Sequence, residues 1–259
     1  MNTVFALAGV VIKELYRRKD FYVLFVLTAV ITLLMGSVNL FNDPKISRYL
    51  KDICLLLIWI SALVIAIGTT ARQIPTEREN RTIFPLLAKP VTRGQVVAGK
   101  FAGCWLACGL TLVVFYLFFG IVSSSRESHW PVLQYVQALW LQWMMLGIVV
   151  GLVLLGSVVF TAPSSNATIC FVVVLGILLL ARHLNQVALQ QAEPLRTVIY
   201  AAYFLIPHLE WYDVRDFVVY DHGLIGWGDC ALATLYAGVY GALVLFATWL
   251  LFRHKPLNR

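Results

Sequence analysis

Six stretches of the chain are apolar and close to 20 residues long, which is about the length that a helix needs to cross a lipid bilayer. We predict six membrane-spanning helices, at about 21–40, 53–70, 96–122, 133–160, 165–181 and 230–252. The runs are continuous and do not alternate apolar with polar residues, so they favour helices over the strands of a membrane barrel. Because lipid cannot hydrogen-bond to the backbone, we expect an all-α integral membrane protein.

The composition excludes a soluble globular domain. Hydrophobic residues make up 60% of the 259 residues and charged residues 13%, with a mean hydropathy of +0.81. Soluble domains carry about 25% charged residues, so this chain has too little charge to cover a globular surface. The first apolar run follows a charged stretch and lacks a small-residue cleavage site, which favours a retained span over a signal peptide. We therefore predict one transmembrane domain over residues 1–259.

The distribution of Lys and Arg predicts the orientation. With six spans, the N-terminal segment, the loop after the second span and the C-terminal tail lie on one side of the membrane. Their cations are Lys13, Arg17, Arg18, Lys19, Arg72, Arg78, Arg81, Lys89, Arg93, Arg253, Lys255 and Arg259. Since cytoplasmic loops are enriched in Lys and Arg, both termini are predicted to be cytoplasmic. The net charge of +7 then follows from topology, and no nucleic-acid partner is expected.

Three segments outside the apolar runs have their own patterns. Residues 1–20 combine an apolar helical face with a cluster of cations, which predicts a helix in the cytoplasmic interface. Residues 41–52 are polar, and Asp43-Pro44 within them is a turn signal, so we predict an outer loop. The fifth run, 165–181, is short, and 182–229 alternates apolar with aromatic and charged stretches. We predict that 182–229 forms two or three short outer-side helices, one of them re-entrant.

Small and polar residues within the runs predict contacts between helices. Two pairs of glycines are spaced for close helix approach, Gly99 with Gly103 and Gly147 with Gly151. The fourth run contains three amides that we expect to make interhelical hydrogen bonds rather than to bind a substrate: Gln134, Gln137 and Gln142. No run has a central Asp, Glu, Lys or Arg, which disfavours a secondary carrier or a voltage sensor.

The chain carries no recognisable catalytic motif or metal motif, so we predict that it is not an enzyme and holds no cofactor. Its five cysteines and five histidines are dispersed, whereas a metal site needs several ligands close together. The stretch Gly94–Phe101 nearly matches the phosphate-binding pattern Gly-x4-Gly-Lys-Ser/Thr, but Phe101 replaces the hydroxyl residue that holds magnesium. We interpret Lys100 instead as an interfacial anchor.

A charged, helix-prone loop, 71–95, separates the second and third runs. We predict a helix that Thr76 caps, with Glu77 and Glu79 exposed in its first turn, where anions complement the helix dipole. Pro90 is expected to end this helix. On the pattern alone, the loop could equally be a solvated amphipathic segment with no partner.

This loop resembles a signature of type-2 ABC exporter permeases, in which Glu-x-Glu is followed by Thr, a Leu-Leu pair, Pro-x-x-Arg and Gly-Lys between the second and third spans. The matching residues are Glu77, Glu79, Thr82, Ile83, Leu86, Leu87, Pro90, Val91, Arg93, Gly99 and Lys100. The similarity extends over the whole chain and includes the N-terminal interfacial helix, six spans and an outer segment. Two departures are Arg81, where many relatives have a small residue, and Pro85 within the loop.

The resemblance implies a permease subunit of an ATP-driven exporter in a bacterial inner membrane. In that family the loop is a coupling helix that docks on a separate ABC ATPase, which would hold ATP and magnesium. The residues expected at that contact are Glu77, Arg78, Glu79, Arg81, Thr82, Leu86, Leu87, Pro90 and Arg93. An outer-gate segment is expected to include Pro207, Trp211, Asp213 and Arg215. Two permease copies, expected to be a homodimer, would form the pathway, with a possible accessory protein outside.

Two other classes remain open at this point. A non-transporting membrane scaffold or assembly factor could use the same coupling loop, and nucleotide-dependent flux would distinguish it from a transporter. A channel or secondary carrier is the other alternative, and a neighbouring gene for an ABC ATPase would argue against it.

Overall fold

The protein is all-helical over the residues that the computed structural model describes, which are 3–17, 19–37, 44–80, 92–124, 131–190, 193 and 195–254. No strand occurs among them. The helices are α1 Thr3–Tyr16, α2 Lys19–Ser37, α3 Pro44–Thr70, α4 Pro75–Glu79, α5 Arg93–Ser124, α6 Val132–Val159, α7 Pro163–Gln190, α8 Leu195–Leu205, a 3-10 helix Leu209–Tyr212, α9 Arg215–Val219 and α10 Trp227–His254.

Five helical segments in the described part of the chain are long and apolar enough to cross a membrane. They are Lys51–Glu79, Arg93–Ser123, Val132–Val159, Pro163–Leu180 and Trp227–His254. Each of the five covers one of the predicted runs to within one residue at either end. The predicted first run, 21–40, coincides with α2 over most of its length, but α2 is not among these five segments. Six spans therefore remain a prediction.

Two predicted boundaries are wrong. The expected outer loop at 41–52 is helical from Pro44, because proline has a backbone φ that suits the first turn of a helix. The apolar segment Pro163–Leu180 agrees with the predicted short fifth span, but the helix does not end there, because α7 continues through Arg182 and Asn185 to Gln190. No proline or glycine follows Gly176 before Pro194, so the helix continues although the hydropathy falls.

Helix α6 is the centre of the bundle and packs against α3, α5, α7 and α10. All eight residues from Met144 to Gly151 are buried, so this part of the helix is covered on every side. By contrast, α10 and the part of α7 up to Leu180 bury only one side in this chain. Their exposed apolar side chains include Val172, Val173, Leu179, Leu235, Val239, Leu243 and Phe246. Such large apolar surfaces need lipid or another protein against them.

The N-terminal helix α1 packs along the first turns of α5 through two glycines. A Cβ atom on Gly99 would lie 2.8 Å from Cβ of Leu7, and one on Gly103 would lie 2.7 Å from Cβ of Val11. The predicted close approach at this glycine pair is therefore confirmed, and it is made within one chain. Ala8 and Val11 are buried against the bundle, so one apolar side of α1 faces protein.

The three predicted glutamines make hydrogen bonds within the bundle. Gln142 of α6 accepts a hydrogen bond from the Tyr116 hydroxyl of α5 at 2.9 Å, which confirms an interhelical contact. Gln137 bonds to both backbone groups of Ile225, each at 3.1 Å. Gln134 donates to Asp221 at 2.7 Å. The last two bond to the non-helical segment before α10, so the predicted interhelical contact is wrong for them; they hold that segment against the beginning of α6.

Candidate functional site

Helix α4 lies at the end of α3 and is only five residues long. Ile74 is its N-cap residue, Pro75 is at its first position, and no side chain caps it. The predicted Thr76 cap is thus wrong: the helix begins two residues earlier, because Pro75 is favoured at the first helical position. Asn80 ends the helix, and its N–H bonds to the Thr76 carbonyl at 3.0 Å.

The two acidic residues of the loop differ in their surroundings. Glu79 is exposed, as predicted. Glu77, predicted to be exposed, is only 22% exposed at its side chain, and its Oε1 lies 2.5 Å from Nζ of Lys100. Because an α-helix has 3.6 residues per turn, residues two positions apart, such as Glu77 and Glu79, face nearly opposite sides of it. The residue at which α4 begins therefore determines which of the two glutamates is covered.

Lys100 is buried, with 6% of its side chain exposed, and is not the interfacial anchor that we predicted. Besides Glu77, its amine donates to Oε1 of Gln73 at 3.0 Å. The amide nitrogen of Gln73 lies 3.5 Å from Oε2 of Glu14 and 3.4 Å from the Thr69 carbonyl oxygen. These polar groups join α1, the α3–α4 connection and α5. We call Glu14, Gln73, Glu77 and Lys100 the polar cluster.

The apolar side of the α4 start is also buried. Ile74 is 1% exposed and packs in a cluster with Val97 of α5, Leu154 and Val158 of α6 and Phe252 of α10. The first turn of α4 is therefore held by contacts with three long helices, while Glu79 and Asn80 at its end remain exposed.

Arg78 lies between the covered and exposed sides of α4. Its Nε and Nη2 atoms are buried, and no residue in the described part of the chain accepts a hydrogen bond from either atom. Five other residues predicted for the coupling contact lie outside the described residues: Arg81, Thr82, Leu86, Leu87 and Pro90. The predicted end of the loop helix at Pro90 lies there as well.

Arg93, predicted to face the partner, makes hydrogen bonds within the chain. Its Nη1 donates to the carbonyls of Phe252 and Arg253, both at 2.8 Å, at the end of α10. These are carbonyls that a helix end leaves without partners. Next to it, Thr92 and Gln95 exchange side-chain to backbone hydrogen bonds at 3.0 and 3.3 Å. This capping box starts α5, and the pattern Thr-x-x-Gln is a sequence signal that we missed.

The near-match to a phosphate-binding loop does not form such a loop. Residues Gly94–Phe101 belong entirely to α5. The Gln95 N–H bonds to the Thr92 hydroxyl and the Val96 N–H to the Thr92 carbonyl, as at the start of an ordinary helix. No group of three His, Cys, Asp or Glu residues suited to a metal ion occurs in the part of the chain that the structure describes.

At the end of α6 away from α4, the 3-10 helix and α9 pack against the bundle. Tyr212 is 1% exposed, and its hydroxyl donates to the Ala233 carbonyl of α10 at 2.7 Å. The backbone N–H of His208 donates to the Tyr236 hydroxyl at 3.2 Å. Pro207, predicted for the outer gate, is buried, and Trp211 is 54% exposed.

The other two residues predicted for that gate, Asp213 and Arg215, bond to each other. Nε and Nη2 of Arg215 donate to the two carboxylate oxygens of Asp213, at 2.7 and 2.9 Å. The hydrogen bonds that Arg215 donates to the Asp213 carboxylate raise the pKa of Arg215. The guanidinium carbon lies 5.5 Å from the ring centre of Trp59. Trp59 is eleven residues before the end of α3 at Thr70, about 17 Å along the helix axis.

Asn166 is a buried polar residue that sequence reasoning missed, as is Gln73 of the polar cluster. Asn166, near the start of α7, is 0% exposed. Its Nδ2 donates to the Ala71 carbonyl at 3.1 Å and lies 3.4 Å from the Val153 carbonyl oxygen. It connects α6 and α7 to the α3–α4 turn. Its polarity is the only sequence signal, because a buried amide needs partners wherever it lies.

The comparisons with known proteins agree with this architecture. A search of curated proteins found no match to the chain. A family model described as ABC-2 family transporter protein matches residues 30–246. That range includes α3 to α9, the polar residues Gln73, Glu77 and Lys100, and most of α10. The chain belongs to the ABC-2 family of transporter proteins.

Proposed function

We propose that the protein is the permease subunit of an ATP-driven exporter and that the end of α4 docks on a separate ABC ATPase. Membership of the family implies an ABC ATPase partner and a membrane component that is not itself catalytic. The observation that carries the proposal is the two-sided arrangement of α4. Glu77 is covered and bonded to Lys100, whereas Glu79 and Asn80 are exposed.

This arrangement suits the transmission of movement. The start of α4 touches α5, α6 and α10 through Ile74, and the polar cluster adds α1. A force applied at Glu79 therefore reaches the long helices through packed side chains. The partner would hold ATP and magnesium, and its closure on nucleotide would displace this end of the bundle.

Two further parts of the proposal concern assembly. A second copy of the permease would cover part of the exposed apolar surface of α7 and α10, and lipid the remainder. In a bacterial inner membrane, with both termini cytoplasmic, the 3-10 helix and α9 would lie near the outer face. Pro207, Trp211, Asp213 and Arg215 would then border the outer end of the pathway, where an accessory protein could bind.

The test is reconstitution of the permease with the ABC ATPase encoded beside it. We expect the two proteins to co-purify, the permease to elute as a pair, and ATP hydrolysis to rise when the permease is present. The coupling role would be contradicted if the ATPase did not bind the permease and hydrolysed ATP at the same rate with and without it. A scaffold would bind and stimulate the ATPase without nucleotide-dependent movement of any substrate across vesicles.

A further inference from the structure

Lys100 is an unusual residue for its place in the fold. It lies seven residues after Arg93, about 10 Å along α5, and is 5% exposed. Lysine is almost never buried without a partner, because an ammonium group is costly to remove from water. Of its two acceptors, Gln73 at 3.0 Å lies in the α3–α4 connection and Glu77 at 2.5 Å lies in α4. One amine on α5 thus bonds to the connection and to the short helix that follows it.

Helix α4 needs such a fixing contact. It has five residues and no side-chain cap, and a helix of this length is not stable alone in water. Ile74 holds the first residue of the helix by apolar contact, which is not directional. Backbone hydrogen bonds tie α4 to the turn before it, such as the one from the Thr76 N–H to the Arg72 carbonyl at 3.1 Å. The ion pair between Lys100 and Glu77 adds a directional side-chain contact with α5, which bears on the direction in which Glu79 points.

Helix α1 joins at the same turn of α5. Gly99 and Gly103, which flank Lys100 in sequence, admit Leu7 and Val11 of α1 at close distance. On the same side, Glu14 of α1 lies 3.5 Å from the amide of Gln73. The two glycines that contact α1 and the lysine that contacts α4 are thus close together on α5.

We propose that Lys100 is a positioning residue that makes α1, α4 and the first turns of α5 move as one unit. The inference rests on the proposed coupling function and adds to it which membrane elements the ATPase moves first. Lys100 touches neither the ATPase nor nucleotide; it acts through Glu77 and Gln73. Stability alone does not call for a charged pair, since apolar residues of similar volume often replace a buried ion pair without loss.

The test uses two double variants of the full-length permease in complex with its ATPase in lipid nanodiscs. Glu77→Met with Lys100→Met removes the directional contact and keeps the volume. Glu77→Lys with Lys100→Glu restores an ion pair with exchanged charges. Spin labels at Val10 of α1 and Asn80 at the end of α4, both exposed, report the distance between the two helices.

In the wild type we expect one narrow Val10–Asn80 distance that is the same without nucleotide and in the trapped nucleotide state. In the double Met variant we expect a broad distribution, retained ATPase binding, and stimulation of hydrolysis reduced by about fivefold or more, the lower end of typical coupling effects. The charge-exchanged variant should recover the narrow distance and most of the stimulation.

Three results would overturn the inference. The first is a Val10–Asn80 distance in the wild type that changes with nucleotide. The second is a double Met variant with the distance and the ATPase stimulation of the wild type. The third is a charge-exchanged variant that folds but keeps a broad distance distribution. If the double Met variant does not fold, the charge-exchanged variant decides. A wild type that does not bind the ATPase contradicts the proposed function instead, and the distances in the permease alone still test the positioning role.

Discussion

Trp105 of α5 and Trp143 of α6 exchange hydrogen bonds with each other's backbone. Nε1 of Trp105 lies 3.0 Å from the Trp143 carbonyl oxygen, and Nε1 of Trp143 lies 2.9 Å from that of Trp105. The two rings stack with centroids 4.7 Å apart. Each ring covers a glycine one turn further along the opposite helix, Gly147 under Trp105 and Gly109 under Trp143. The exchange satisfies both indole donors in apolar surroundings and sets the separation of α5 and α6.

The first prediction concerns the glycine under Trp143. A Cβ atom on Gly109 would lie 2.6 Å from the indole ring, so Gly109→Ala should force the rings apart and cost about 1–3 kcal/mol of stability, as overpacking does. Gly151→Ala is the matched control, because its Cβ would meet nothing closer than 3.5 Å. Thermal unfolding in detergent compares the two, and equal melting temperatures would contradict the account.

The second prediction concerns the contact between α1 and Gly103 of α5. Gly103→Ala would place a Cβ 2.7 Å from Cβ of Val11 and 3.0 Å from Cα of Ala8. Because backbone and Cβ atoms cannot rotate away, α1 should detach, and trypsin should cut faster after the exposed Lys13 and Arg17. Gly9→Ala in α1 itself, with nothing within 4 Å, is the control. Unchanged cleavage in Gly103→Ala would show that α1 is held by other contacts.

The sequence predicts the long helices well because apolar length is a property of each segment alone. The predicted helix ends that are wrong lie where the hydropathy of a segment does not indicate whether it is helical. Residues 182–190 are less apolar than 165–181 but contain no helix breaker, so α7 continues beyond its apolar part. The pair Asp43-Pro44 predicts a turn, yet Pro44 is the first residue of α3. Helix propensity and capping, rather than polarity, decide these ends.

The candidate site was less predictable because it depends on contacts between distant residues. The sequence places Glu77 and Glu79 in one charged loop and Lys100 in the next span. It does not show that Glu77 and Lys100, 23 positions apart, meet in a partly buried ion pair. The assumption that both glutamates are exposed fails for Glu77, so reversing both charges would mix a folding effect with a binding effect. Only Glu79 tests binding cleanly.

The third prediction concerns Asn166. Asn166→Ala removes the donor to the Ala71 carbonyl and leaves a small cavity beside α6. A buried acceptor that loses its partner costs about 1–3 kcal/mol, so the melting temperature should fall clearly. Ser165→Ala, at an exposed neighbouring position, should have little effect. If both variants melt like the wild type, the amide does not hold α7 to the α3–α4 turn.

The fourth prediction concerns topology. On a background without the five cysteines, all of which are buried, we expect a cysteine at Asn80 to react only from the cytoplasm. One at Tyr220, which is 54% exposed, should react only from outside. Tyr220 is preferable to Asp213, which is partly covered and paired with Arg215. Labelling of Asn80→Cys from outside would reverse the orientation and remove the coupling role.

The fifth prediction concerns Glu79, the exposed acidic residue of α4. Glu79→Arg should leave the fold intact, since exposed substitutions usually change stability by no more than about 0.5 kcal/mol. We expect the ATPase to present a basic surface to Glu79, so the reversal should cost about 2–5 kcal/mol of binding free energy. Asp229→Arg, an exposed reversal at the start of α10, is the matched control at the opposite end of the bundle.

The most direct measurement is the dissociation constant of the permease in nanodiscs for its partner ATPase, compared between the wild type, Glu79→Arg and Asp229→Arg. The account predicts that Glu79→Arg binds more than about tenfold more weakly, with a melting temperature like that of the wild type, while Asp229→Arg binds normally. Wild-type affinity in Glu79→Arg would show that the end of α4 is a solvated surface and would contradict its role as the docking contact.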